Sequence, residues 1–276
     1  MNKSLPLTVS IVIPAYNEEH QIAQCLDSIA KQSVKPLEVI VVDNNSTDST
    51  AAIAKEYSFV KVIKEKRQGI VFARNAGFNE ARGDIIGRID ADSILPTDWV
   101  EQIIGFYNDP AHKQSVFTAD AYFYNLHTSF ITSRIYNVVV HRVNHVVVGY
   151  HLPWGSNTAL PRRVWEKVRA DVCLRTDIHE DLDLGIHLKH AGYTTYYRHG
   201  MRVGVEARRI MSNHNQLWEY LSWWPQTIKA HHKKRWILIW PFVLMVWLGS
   251  YLILGSERLL DLFSLNSKEP KARRLR

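Results

Sequence analysis

The sequence predicts an α/β fold whose sheet is mostly parallel and flanked by helices. Three observations carry that expectation. Between residues 8 and 89, apolar β-branched runs alternate with helical patterns. The runs are nearly continuous rather than alternating apolar and polar, so both faces of the sheet are covered. Each of the first, second and fourth runs ends in a polar or acidic turn. In such sheets ligands bind beyond the carboxyl ends of the strands.

The elements follow in order. Residues 8–13 read as a buried strand rather than a secretory signal, because the run is short, β-branched and ended by Pro14. A helix follows with Ile22, Leu26 and Ile29 on one face. Residues 37–42 form a second strand, closed by Asp43-Asn44-Asn45-Ser46-Thr47-Asp48, and a short helix spans 51–57. A third strand at 60–63, a helix at 71–81 and a fourth strand at 85–89 lead to Asp90-Ala91-Asp92. From 106 to 150 the pattern weakens, and the β-branched stretch 138–148 fits neither strand nor helix securely. Helices at 162–168 and 182–190, the latter stopped by Gly192, precede a strand-like segment at 194–198.

Composition narrows the class. The chain has 276 residues, 46% hydrophobic and 22% charged, enough for a large core and unlike a disordered or collagenous chain. Two cysteines, Cys25 and Cys173, are too few for a disulfide scaffold and show no metal-ligand spacing, which leads us to expect a reducing, cytosolic setting. The net charge of +7 is concentrated in His231-His232-Lys233-Lys234-Arg235 and at 268–276, with Lys268, Lys271, Arg273, Arg274 and Arg276. Between the clusters, residues 236–254 run nineteen positions without a charge, and tryptophans lie at the start of the run and ahead of it. Basic residues beside an apolar segment suggest a membrane surface rather than nucleic acid. A spanning helix is expected there, with Pro241, Gly249 and Gly255 leaving room for a re-entrant or in-plane one.

Neither G-x-G-x-x-G nor G-x-x-x-x-G-K-[ST] occurs, which removes dinucleotide and P-loop readings. What does occur is a series of strand ends. Pro14-Ala15-Tyr16-Asn17-Glu18 is followed by Asp43 to Asp48, Arg67, Gly69, Ala73-Arg74-Asn75-Ala76-Gly77 and Asp90-Ala91-Asp92. Downstream come Trp154-Gly155-Ser156-Asn157, continuing to Arg163, and Glu180-Asp181-Leu182-Asp183-Leu184. In this order the set resembles family 2 glycosyltransferases of the GT-A fold, over roughly residues 7–205.

The resemblance implies a catalytic domain at 1–205, with a donor half at about 7–105 and an acceptor half at about 106–205. An interfacial segment at 206–235, a membrane helix at 236–254 and a basic tail at 255–276 complete the expected layout. It implies that Asp92 holds Mg2+ or Mn2+, that Asp90 contacts the ribose or assists the metal, and that Asp43 accepts from the base. Pro14, Ala15 and Tyr16 would line the same pocket, with Glu18 supporting it and Arg74 near the nucleotide. Asp181 resembles the family's general base, with Glu180 beside it as an orienting or acceptor-contacting group. Trp154, Gly155, Ser156 and Asn157 would lie on the acceptor side, and His199 is a candidate additional metal ligand. Arg208 and Arg209 sit where related enzymes place cations near the diphosphate, without the Gln-x-x-Arg-Trp of processive synthases. The plainer alternatives are helix-end charges for Glu18 and Arg74, and an acidic first helical turn for Glu180 to Asp183.

The implied reaction is inverting transfer from a nucleotide-sugar donor, with UDP-sugars favoured by Asp43 and Arg74, to a hydroxyl of a lipid-linked or glycan acceptor at the cytosolic membrane face. A polyprenyl-phosphate acceptor and a non-catalytic nucleotide-sugar scaffold are the competing readings; no nucleic acid partner is expected. A nucleotidyltransferase would be expected to carry a Gly-rich, Lys-containing loop where Pro14-Ala15-Tyr16-Asn17 stands.

Overall fold

The computed structural model describes residues 6–211, 214–231 and 236–266. The basic residues 232–235 and 268–276 and the Arg209 side chain lie outside the described residues. The chain opens with β1 (Val9–Ala15), α1 (Ile22–Ala30), β2 (Glu38–Asp43), α2 (Thr50–Lys55), β3 (Val60–Lys64), α3 (Ile70–Glu80), β4 (Ile85–Arg88) and α4 (Trp99–Asn108). It continues with β5 (Val116–Phe123), α5 (Ser129–Asn137), a π-helical stretch (Val138–Val143), α6 (Asn144–Val148), β6 (Thr158–Pro161) and α7 (Arg162–Val168). The last elements are α8 (Glu180–His190), β7 (Thr195–Val205), α9 (Arg208–Met211), α10 (His214–His231) and α11 (Trp240–Asn266).

The strands form one seven-stranded sheet in the order β3-β2-β1-β4-β6-β5-β7. β6 runs antiparallel to both of its neighbours, β4 and β5, and the remaining pairs are parallel. Mostly parallel is therefore the right description, with β6 as the reversed strand. Every residue of β1 is buried, as expected of a central strand covered on both faces. On one face Ile11, Ile13, Leu26, Trp99 and Phe117 share a core; on the other Val12, Ile40, Phe78, Trp165 and Leu184 share a second.

Three segments differ from the sequence expectation. The stretch 138–148 is helical, its β-branched side chains notwithstanding, because it carries on directly from α5 and packs Val139, Val143 and Val148 against α10 and α11 residues. β7 extends to Val205, since its second half pairs with Ala121 to Phe123 across a register shift. The helix runs past the end of the uncharged stretch: α11 continues through Glu257, Arg258 and Asp261 to Asn266, so the expected division between membrane helix and tail falls inside one helix.

α10 and α11 pack on each other and on α8 through Leu182, Ile186, Leu217, Trp224, Ile239 and Val243. α11 is also strapped to the sheet domain. Glu257 accepts from the His127 and Thr128 amides, both at 2.8 Å, while Trp247 Nε1 ties α11 to α10 by donating to the His214 carbonyl at 3.1 Å. Its opposite flank exposes Leu244, Leu248, Leu252 and Phe263.

Candidate active site

The turns after β1, β2 and β3 are stitched together by asparagines. Asn17 and Asn45 adopt φ of 54° and 64°, a left-handed conformation that asparagine tolerates better than most residues. Asn17 Oδ1 accepts the Thr47 amide at 2.8 Å, and Asn45 Nδ2 donates to the Lys66 carbonyl at 2.8 Å. Asn44 Nδ2 donates to the Glu65 and Arg67 carbonyls, while its Oδ1 accepts the Gly69 amide at 2.8 Å. The three loops are thereby fixed over the carboxyl end of the sheet.

The centre of the site is a residue that sequence reading missed. Arg88 is buried at the end of β4, and its guanidinium reaches three carboxylates. Nη1 donates to Asp181 Oδ1 at 2.6 Å; Nη2 donates to Asp90 Oδ1 at 2.9 Å and to Glu180 Oε1 at 3.1 Å. Burial opposes its charge, but Asp181, Asp90 and Glu180 outweigh burial and raise its pKa. Room for the guanidinium depends on Gly155, where an added Cβ would lie 1.2 Å from Arg88 Nη1. The Gly155 amide also donates to Asp181 Oδ2 at 2.9 Å, so both oxygens of Asp181 are held. The signal for Arg88 was a lone cation inside the apolar run Ile85-Ile86-Gly87-Arg88-Ile89.

Glu180 opens α8 together with Asp181 and Asp183, the arrangement that a helix N-terminus favours. Burial, followed by the neighbouring Asp181 charge, pushes the Glu180 carboxyl up to about 7. Arg74 lies behind this wall. It is fully buried, donating Nη1 to the Glu180 carbonyl at 2.6 Å and Nη2 to Asn75 Oδ1 at 2.9 Å. Its planar cation supports the α8 N-terminus and does not line the cleft, unlike the nucleotide-facing placement expected from sequence.

A cleft of about 490 Å³ covers these strand ends. Pro14, Ala15, Tyr16, Glu18, Asp90, Asp92, Trp154, Ser156, Glu180 and Asp181 all line it. Asp43 is buried at the end of β2 with Oδ1 accepting the Ser46 amide at 3.0 Å, next to the cleft-lining Asn44. Asn157 is a buried brace, its Oδ1 accepting from Trp99 Nε1 at 3.0 Å and its amide donating to the Asp120 and Met201 carbonyls. His199 is not brought to Asp92. Its side chain is 78% exposed, with Nδ1 2.9 Å from Asp120 Oδ2, and it is outside the cleft lining.

Two further cleft groups come from the end of β7 and from α9. Arg208 Nη2 donates to Glu18 Oε1 at 2.5 Å, and Glu206 lies beside it. Glu18 Oε2 and Glu206 Oε2 are buried and accept no hydrogen bond among the described residues. They share the cleft lining with Asp90 and Asp92, and carboxylate oxygens are the kind of ligand that Mg2+ or Mn2+ takes. The lining also includes apolar side chains: Val139, Leu217, Leu221, Trp224 and Val246.

A mixed sheet with an acid-lined cleft over its parallel strand ends is the GT-A architecture. The chain belongs to glycosyl transferase family 2, whose family model matches residues 10–168. The glycosyltransferase GlyA of Streptococcus pneumoniae serotype 4 is 34% identical over 99 residues, which cover 34% of this chain and 14% of GlyA. Among solved structures, the mannosyltransferase PcManGT from Pyrobaculum calidifontis, in complex with GDP-Man and Mn2+, aligns with a TM-score of 0.61 at 20% identity. That alignment covers 96% of this chain and 80% of PcManGT. S. aureus TarS 1-349 in complex with UDP-GlcNAc aligns with a TM-score of 0.52 at 17% identity, covering 81% of this chain and 67% of that one.

Proposed function

We propose that the chain is an inverting glycosyltransferase that moves a sugar from a nucleotide-diphosphate donor to a hydroxyl of a lipid-linked or glycan acceptor, at the cytosolic face of a membrane. One observation carries the reading. A single cleft is lined by strand-end carboxylates, by Asp181 and Glu180, and by apolar side chains of α10 and α11.

In this reading the loops around Pro14 to Tyr16 and Asp43 seat the nucleotide. Asp92 and Asp90 would hold a Mg2+ or Mn2+ ion, with Glu18 and Glu206 near them, and its charge would stabilise the departing diphosphate. The acceptor hydroxyl attacks the anomeric carbon as the bond from that carbon to the phosphate oxygen breaks. The electron pair leaves with the nucleoside diphosphate, and the hydroxyl proton passes to Asp181. Attack opposite the leaving group inverts the anomeric centre. Arg88 fixes the direction of Asp181 and supplies the positive charge that lets three carboxylates share this wall.

With Arg74 sealed behind α8, the preference for a UDP-sugar rests on Asp43 alone. PcManGT carries GDP-Man and TarS carries UDP-GlcNAc on the same fold, so both donor types belong in the first assay. A polyprenyl-phosphate acceptor is the second reading, favoured by one observation: both Asp181 oxygens are already engaged, and an ionised phosphate needs no base.

The membrane seat rests on α11. Within Trp236–Phe263 the most apolar 18-residue stretch has a mean hydropathy of 2.2, and 17% of that stretch is buried. A helix fastened to the domain from Val243 to Glu257, over about 21 Å, carries that domain alongside it. This favours a helix lying in the membrane surface over one that crosses it.

The test is nucleotide release from UDP- and GDP-sugars with Mn2+ or Mg2+, with and without EDTA, beside Asp92→Ala and Asp181→Asn. Turnover of one donor that requires metal and Asp92 supports the reading. Absence of binding by every donor overturns it. Undiminished transfer by Asp181→Asn to a polyprenyl phosphate moves the assignment to the second acceptor.

A further inference from the structure

On the side of α8 turned away from the cleft, the fold gathers four side chains that no role above uses. Asp183 and His187 stand one helical turn apart, Cys173 comes from the segment before α8, and His231 ends α10. One ligand atom from each, the Sγ of Cys173, Oδ1 of Asp183 and Nε2 of both histidines, lies within 4.8 Å of all the others. Cys173 Sγ is 3.8 Å from His187 Nε2 and 4.0 Å from His231 Nε2. Asp183 Oδ1 is 3.4 Å from His187 Nε2 and 2.8 Å from His231 Nε2.

We propose that Cys173, Asp183, His187 and His231 bind a Zn2+ ion that fastens α10 to α8. Tetrahedral zinc with sulfur at about 2.3 Å and nitrogen or oxygen at about 2.1 Å places its ligand atoms roughly 3.4–3.6 Å apart. The observed separations bracket that spacing, and lengthening the short His231–Asp183 contact is the main adjustment. The mixed thiolate, imidazole and carboxylate set suits zinc and not magnesium or calcium. Asp183 is 0% exposed, His231 9% and His187 16%, so the site is closed, as structural zinc sites are. A supporting contact is also in place. The Cys173 amide donates to Asp183 Oδ2 at 3.0 Å, which directs Oδ1 toward the other three ligands.

The site is chemically distinct from the acidic cleft and is independent of the transfer reaction. Its consequence is mechanical. α10 supplies Leu217, Leu221 and Trp224 to the apolar cleft wall, and α8 begins with Glu180 and Asp181. A metal joining the two helices sets the wall against the carboxylates. The His179 amide, just before α8, donates to Thr227 Oγ1 of α10 at 2.9 Å and adds a protein-only link beside the apolar packing of the two helices.

The experiment uses the full chain, purified in detergent without a polyhistidine tag and without added metal. Elemental analysis after desalting is expected to find close to one zinc per chain. Asp92→Ala should retain it, and Cys173→Ser and His231→Ala should each lose most of it. Replacement by Co2+ should give a thiolate-to-metal charge-transfer band that survives Cys25→Ala and vanishes in Cys173→Ser. Chelation of the wild-type protein should lower its Tm, which tests the site even where a variant fails to fold. A chain that is metal-free and gives no cobalt band overturns the proposal. So does zinc that remains stoichiometric in folded Cys173→Ser and His231→Ala.

Discussion

Helix α8 presents two aspartates, two residues apart, to two different neighbourhoods. Asp181 faces the cleft and is met by the guanidinium of Arg88 and the amide of Gly155. Asp183 faces the opposite way and is met by two imidazoles and the Cys173 amide. A permanent cation pairs with the first group, which remains at the edge of an open cleft. Around the second, groups that carry a proton or a metal in its place close over a fully buried carboxylate. One helix thus separates chemistry that must meet a substrate from chemistry that holds the fold together, by the half-turn between adjacent acids.

The contrast breaks most severely at Arg88. Arg88→Met leaves Asp90, Glu180 and Asp181 without their shared cation and is expected to cost about 3–5 kcal/mol of stability. Chemical denaturation measures this, and a loss below 1 kcal/mol would show that the carboxylates do not depend on Arg88. Next comes the difference between the two aspartates. Asp181→Asn should reduce transfer to a hydroxyl acceptor by about 10²–10⁴-fold with little change in Tm. Asp183→Asn should do the reverse, lowering Tm while transfer per folded molecule changes less than about tenfold.

Glu180 sharpens the comparison through pH. Its pKa is raised in the folded chain, from 4.5 to about 7, so the native state binds more protons than the unfolded state between those values. The stabilisation is complete below pH 4.5 and is lost as pH rises through 7. Glu180→Gln should remove this decline, becoming more stable relative to wild type at pH 8 than at pH 5 in paired denaturation curves. The smallest effect concerns the α11 strap. Glu257→Gln weakens its bonds to the His127 and Thr128 amides and should cost about 1–2 kcal/mol. Nucleotide release from the donor should stay within about twofold of wild type.

What the sequence made legible has a physical basis. Fully covered parallel strands leave continuous apolar runs, and ligand-facing strand ends leave polar turns, so β1 to β4 and the positions of Asp90, Asp92, Glu180 and Asp181 could be read in one dimension. Arg88 could not, because an arginine at a strand end reads as solvent-facing until β6 and α8 close over it. The zinc ligands could not either: Cys173, Asp183, His187 and His231 are 10, 4 and 44 residues apart, and packing of α10 on α8 brings them together. The stretch 138–148 failed for a different reason, since β-branched propensity and helical packing disagree there and tertiary packing prevails. Arg74 was expected near the nucleotide, and its burial behind α8 depends on a contact more than a hundred residues distant.

The reversed strand β6 has a consequence for how the chain is made. β4 ends at Arg88, yet the strand that covers its outer edge ends at Pro161, 73 residues later. At about 5–20 residues per second, a ribosome leaves that edge bare for roughly 4–15 s. A bare edge in an apolar sheet is a template for pairing with another nascent chain, and charge on the edge is a common safeguard. β4 is four residues long and ends in an arginine. The side chain that gathers three carboxylates in the folded chain thus also stands on the edge that stays bare until β6 is made.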